Sequence, residues 1–373
     1  MIQVFQPSLG EEEVAAIRQV FKDNWPGRGK RAEQFEQDFA GWLHTSPDHM
    51  VSITSCTEGL FHAVKALQLH PGDEVILPGI SFVGMGNAIL AEGARPVFCD
   101  VDPLTLNPTP EMVEAEAGRR SAAFMLLHYG GVAPDMEAMT DMARSCELAL
   151  IEDCAISEAT RWNGKAAGTW GEIGIWSFDA MKSLSVGDGG MLWFRNKNRI
   201  ADARVDLYLG QTSQSGHIAS QHGPRWWEFD VVNPGRRSLM NDMTAAIGIV
   251  QLKKQPAMLT RRRAIHERYS AELAGLDWLR LPPVILPHSE SSYTFYWVQC
   301  EKRDELATYL KENGIYTTFR YWPLHRLSIY GHRGKPLPGV DQAAAQTLLL
   351  PLHHGLSDGD VSKIIEKVRA FNG

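Results

Sequence analysis

The sequence predicts an α/β chain whose mainly parallel sheet is covered on both faces. Two observations carry this. About seven short apolar runs recur at residues 51–54, 74–77, 96–101, 122–128, 148–153, 173–178 and 190–194. Helical patterns separate several of them, as at 83–90 and 136–145. Short apolar strands alternating with helices are the signature of such a sheet. Ligands there sit at the carboxyl ends of the strands, where Ser55, Asp153 and residues 177–182 converge.

In order, residues 10–23 carry Val14, Ile17, Val20 and Phe21 at helical spacing, an amphipathic helix. Residues 24–31 form a Pro- and Gly-marked loop whose Arg28, Lys30 and Arg31 meet either phosphates or solvent. Phe35, Phe39 and Leu43 give a second helix. Strand 51–54 leads through the polar turn 55–59 into a helix faced by Leu60, Val64 and Leu67. Such a unit offers free backbone N–H groups to a phosphate. The bland alternative is an ordinary helix capped by Thr57. After residue 195 the pattern changes. Residues 205–235, with Trp226 and Trp227, read as a long functional loop. Helices follow at 242–253 and 261–273. A smaller α+β region has strands near 293–300 and 316–320 and a last helix at 361–371. The expected division is a large domain, 1–250, with an N-terminal helical segment, and a small one, 251–373.

The chain has 373 residues, of which 44% are hydrophobic, ample for a core of this size. A net charge of −7 argues against a general nucleic-acid binder. No apolar run approaches the ~20 residues that span a bilayer, and residues 1–7 lack the start of a signal peptide. The five cysteines are odd in number and form no CxxC pair, so neither a disulfide framework nor a zinc site is expected. A reduced, cytoplasmic enzyme without a metal is the simplest expectation.

The stretch 177–190, between two of the strands, carries Lys182 at a strand-to-loop junction. A lysine amine condenses with an aldehyde, and burial keeps it reactive. Asp153 stands at the tip of run 148–153. A Schiff-base lysine and an aspartate paired with a pyridinium nitrogen are the two groups a pyridoxal phosphate enzyme needs most. Lys182 alone is weak evidence, because most lysines are solvated surface charges.

With these residues placed, the chain resembles the DegT/DnrJ/EryC1/StrS family of sugar aminotransferases. The markers run over nearly the whole sequence. They include Ser55-Cys56-Thr57, Pro78 with Ser81-Phe82, His128-Tyr129-Gly130, Glu152-Asp153-Cys154-Ala155, Ser177-Phe178 with Lys182, Gly187-Asp188-Gly189-Gly190, Ala245-Ala246-Ile247-Gly248 and Pro323-Leu324-His325. The resemblance implies the fold of type I pyridoxal 5'-phosphate enzymes, a large domain with a mainly parallel seven-stranded sheet plus a smaller α+β C-terminal domain. It implies an aminotransferase that moves an amino group from glutamate or glutamine to a keto-sugar, nucleotide-linked, in ping-pong half-reactions. Lys182 would form the Schiff base and shuttle the proton. Asp153 would keep the pyridinium nitrogen protonated, Phe82 would stack on the ring, and Cys56, Thr57 and Ser177 would cradle the phosphate. A homodimer with shared active sites is implied as well.

The chain departs from the family pattern in places. Cys56 replaces a glycine, and Glu58 stands where small residues are usual. Ile156 replaces a glutamine that bonds the ring oxygen, and Arg237 would take over from an asparagine that reaches the partner's phosphate. Competing readings are the same chemistry on a cyclitol or another secondary-metabolite ketone, and a non-catalytic binding protein on the same fold. Lys182 argues against the relatives that carry histidine in its place. Phe82 read by itself is a core aromatic. His128 and His325 read as structural histidines.

Overall fold

The computed structural model describes residues 1–212, 225, 227–331 and 336–371. Trp226 and much of the 205–235 loop therefore lie outside the described residues. Twelve strands are formed among those described: β1 Met50–Ile53, β2 Glu74–Pro78, β3 Arg95–Cys99, β4 Ser121–Leu127, β5 Ala149–Asp153, β6 Arg161–Trp162, β7 Lys165–Ala166, β8 Ile173–Ser177, β9 Gly190–Phe194, β10 Ser289–Glu290, β11 Tyr296–Gln299 and β12 Thr347–Leu350. The helices are α1 Glu11–Lys22, α2 Lys30–Leu43, α3 Cys56–Ala66, α4 Val83–Ala91, α5 Pro110–Glu114, α6 Met136–Ser145, α7 Arg199–Asp206, α8 Asp242–Glu272, α9 Arg303–Glu312, α10 Pro338–Gln346 and α11 Asp358–Ala370.

The central sheet has the order β1-β9-β8-β5-β4-β2-β3. Strands β8, β5, β4, β2 and β3 pair in parallel, and β9 runs antiparallel between β8 and β1. The interior strands β2, β5, β8 and β9 are buried at nearly every residue, because helices cover both faces. Register then decides the site. Gly190 opens β9 opposite both Ile53 and Ser177. Asp153 closes β5 opposite Leu127 and next to Ile175. Ser177, Asp153, Gly190 and the start of α3 thus share one edge of the sheet.

A second core lies at the C-terminal side. Strands β11 and β12 pair antiparallel, and Ile265 and Tyr269 of α8 pack there with Leu306, Leu310, Ile364 and Ile365. The N-terminal helices pack along α8, joined by two carboxylates: Glu13 of α1 accepts from Gln251 and Lys254 of α8, and Asp242 of α8 binds α2. Asp242 accepts the N–H groups of Gly29, Arg31 and Ala32 at the unfilled start of α2.

Two expectations are corrected. The helices expected at 242–253 and 261–273 are one helix, α8, with Pro256 inside it. Proline removes one hydrogen bond, but burial of Leu252, Met258 and Ile265 on either side keeps the helix continuous. The strand expected at 316–320 forms only a single bridge, Thr318 to Leu349. The chain turns away at Tyr321 to Pro323, and the ladder partner of β12 is β11 alone. Strand β12, Thr347–Leu350, was not among the expected strands.

Candidate active site

Asp153 is fully buried at the end of β5. Its Oδ1 accepts the Ala155 N–H at 2.9 Å, while Oδ2 has no partner. Burial pushes the carboxyl above its usual range, against the pull of that N–H and of the nearby Lys182 and His128 charges. A buried carboxylate oxygen without a donor is costly. It is a socket for an N–H that a ligand brings, and a protonated ring nitrogen suits it.

Lys182 lies in the turn between β8 and β9, half-buried, with its N–H bonded to the Asp179 carbonyl at 2.9 Å. The turn is held from both sides. Phe178 donates to the Gly189 carbonyl and accepts from Val186. Ser183, next to the lysine, donates to the buried Glu158 carboxylate, and Arg262 of α8 holds the same oxygen at 3.0 Å. Glu158 belongs to the segment that follows Asp153, so both site residues are fixed through one network. Burial raises the Cys56, Asp153 and Tyr321 groups, and the Lys182 charge opposes that rise at each of them.

At the start of α3 the cap is Ser55, whose hydroxyl accepts the Glu58 N–H at 3.1 Å, and not Thr57. The N–H groups of Cys56 and Thr57 then have no intrahelical acceptor. Thr57 is exposed and Cys56 buried. A Cβ added at Gly190 would lie 2.8 Å from the Cys56 nitrogen and 2.9 Å from the Ser55 carbonyl carbon. Only glycine lets β9 begin so close to this helix start. Ser177 stands beside it, its hydroxyl accepting the Asp179 N–H at 3.4 Å. A helix start with open N–H groups and a hydroxyl alongside is a phosphate cradle. These residues fit pyridoxal phosphate: an acceptor socket at Asp153, an amine at Lys182 and an anion cradle at Cys56, Thr57 and Ser177.

Glu58, electrostatically odd near a phosphate, is turned aside. Its carboxylate accepts from Arg236 at 3.1 Å and from the Ser238 hydroxyl at 3.0 Å. Residues 238–240 run along β1, through the bonds of Thr54 to Ser238 and of Met240 to Ser52. Arg237 is exposed, with its guanidinium 5.7 Å over the Tyr208 ring. Phe82 opens α4 and meets Tyr321 edge-on, ring centroids 6.0 Å apart. Ile156 packs its side chain in the main core, and its carbonyl accepts the Thr294 hydroxyl. The basic loop residue Arg28 is committed to Glu36 and Ser52.

His128, Glu152 and Cys154 form a buried cluster with metal-ligand chemistry. Both Glu152 oxygens are already spent, on the N–H groups of Gly168, Trp170 and Gly171 and on His128 Nε2 at 2.9 Å. The cluster fastens the 168–171 turn to β5. Sequence reasoning missed Tyr321 and Arg320. Tyr129 donates its hydroxyl to the Arg320 carbonyl, tying this distant loop to the segment that follows β4. Burial raises the Tyr321 phenol, and the Lys182 charge opposes it. The only signal was their position just before the Pro323-Leu324-His325 marker.

The sequence model of the DegT/DnrJ/EryC1/StrS aminotransferase family matches residues 7–369. The chain is 45% identical over 369 residues to a dTDP-4-dehydro-2,3,6-trideoxy-D-glucose 4-aminotransferase of Saccharopolyspora spinosa, covering 98% of this chain and 96% of the relative. It is 33% identical to the spore coat polysaccharide biosynthesis protein SpsC of Bacillus subtilis, covering 97% and 95%. Its fold superposes on the crystal structure of the aminotransferase TlmJ from Streptoalloteichus hindustanus with a TM-score of 0.94 at 50% identity, covering 99% of this chain and 98% of the other. The match extends over the N-terminal helices, the sheet and the C-terminal strands alike, and the chain belongs to the DegT/DnrJ/EryC1/StrS aminotransferase family.

Proposed function

We propose that this aminotransferase uses pyridoxal 5'-phosphate to move an amino group from glutamate or glutamine to the keto group of a nucleotide-linked sugar. The single observation that carries the cofactor is Asp153 Oδ2, fully buried and without a donor, at the sheet edge from which Ser177 leads into the Lys182 turn. When bound, the cofactor supplies an electron-accepting ring that makes the amine-bearing carbon acidic. The chain's own residues do the rest. Asp153 holds a proton at the ring nitrogen, and Lys182 Nζ carries a proton to and from the substrate carbon. The N–H groups of Cys56 and Thr57 and the Ser177 hydroxyl hold the phosphate. Phe82 covers the ring face. Arg237 reaches the phosphate of a partner subunit, in a homodimer with shared sites.

The sugar assignment is supported by the 45% relative, which by its name acts on a dTDP-4-keto sugar. Among the described residues no helix is long and apolar enough to cross a membrane, in keeping with a cytoplasmic enzyme. The division into domains 1–250 and 251–373 places the boundary inside α8.

The deciding experiment is the visible absorption of the purified protein. The expected result is a yellow band that borohydride fixes to Lys182 and that glutamate bleaches in an untreated sample. Lys182→Ala should fold, carry no fixable band and have no transaminase activity. Full turnover in that variant, or no band in the wild type after adding cofactor, sinks the reading.

A further inference from the structure

We propose that Arg320 is a substrate-binding residue: its guanidinium receives the anionic group of an incoming substrate beside Lys182. The inference rests on the aminotransferase reading above, which supplies the two candidate anions, the carboxylate of the amino donor and the diphosphate of a nucleotide sugar.

Several cations around the site are already spent on carboxylates. Arg28 is paired with Glu36, Arg236 with Glu58 and Arg262 with Glu158. Arg320 is different. Among the described residues no carboxylate pairs with it. Its Nη2 donates only to the Met181 sulfur at 3.1 Å, and its guanidinium lies 5.0 Å over the Phe5 ring. A thioether is a weak acceptor, so most of the five guanidinium donors remain open. A half-buried arginine left this way in a chain of net charge −7 has a use for an anion that arrives with a ligand.

Its position says which ligand. Met181 precedes Lys182 directly in the turn between β8 and β9, so the contact brings the Arg320 guanidinium to the lysine turn. The backbone is fixed: the Arg320 carbonyl accepts the buried Tyr129 hydroxyl, and Tyr321 packs on Phe82. Phe5 restrains the side chain from the other side, so the fork is pre-oriented at little entropic cost. Its planar donors match a carboxylate or a phosphate in a two-point contact that a lysine cannot make.

The test compares wild type with Arg320→Gln and Arg320→Lys in two arms. In the first, the visible band is titrated with glutamate. In the second, dTDP is titrated into cofactor-free protein by calorimetry. Loss of a charge-assisted contact should weaken one of the two ligands roughly 10- to 100-fold in Arg320→Gln, with Arg320→Lys between. The limiting bleaching rate should stay within a few-fold of wild type. A shift confined to glutamate assigns the donor carboxylate, and one confined to dTDP assigns the diphosphate. Unchanged affinities in both arms overturn the proposal, as does a fall in the limiting rate with both affinities intact. The dTDP arm needs no cofactor, so it answers for Arg320 even where the visible band fails and the cofactor reading with it.

Discussion

Asp153 carries a prediction that activity alone would not reveal. Burial raises its carboxyl above the unfolded value, so the folded cofactor-free chain binds this proton more tightly than the unfolded one. The stabilising contribution is fully present below the unfolded pKa and is lost as pH rises through the folded pKa. Cofactor-free Asp153→Asn should therefore melt higher than cofactor-free wild type at neutral pH, and the gap should close as the medium is acidified. The same variant should keep little transaminase activity, because a neutral pyridine is a poor electron sink. Melting curves against pH, with an activity assay, check both; a gap that widens on acidification would contradict the direction given to Asp153. Lys182 and Asp153 were legible in the sequence because each closes or follows an apolar strand, and strand ends meet at one edge. Arg320 and Tyr321 were not, since they arrive from a loop more than a hundred residues further on, in a stretch whose residue types suggest only a strand.

Among the elements, the sheet was legible and its fastenings were not. Apolar runs announce buried strands, but nothing in Glu152 as a letter says that it accepts three backbone N–H groups from the 168–171 turn. Such buried polar contacts depend on chain segments brought together only by folding. Glu152→Ala leaves those donors and His128 unpaired in the core, and should cost at least about 3 kcal/mol, since each buried donor left without an acceptor costs about 1–3 kcal/mol. Chemical denaturation reads this directly, and a loss under about 1 kcal/mol, the scale of a surface pair, would mean that water replaces the carboxylate. The long helix α8 escaped for the opposite reason. Pro256 is a strong local stop signal, and apolar contacts on both sides of it outweigh the one bond it removes.

At the scale of the molecule, a site shared between subunits, as proposed, predicts complementation between two inactive variants. If Arg237 of each subunit serves its partner, a subunit carrying Lys182→Ala and one carrying Arg237→Ala combine into a dimer with one intact site. Equal, randomly paired mixtures should recover about a quarter of wild-type activity from the symmetry of a two-fold dimer. Recovery no greater than the average of the two parents would place Arg237 outside the partner's site. The Arg262–Glu158–Ser183 contact has a broader consequence. It ties the residue beside Lys182 to the one helix that runs from the N-terminal helices into the C-terminal core. The lysine turn and the C-terminal core are thus joined through one helix. A gene split within α8, or a chimaera that grafts a foreign C-terminal lobe at residue 250 to change sugar preference, would sever that tie, so lobe exchange in this family should take α8 whole with the lysine turn it braces.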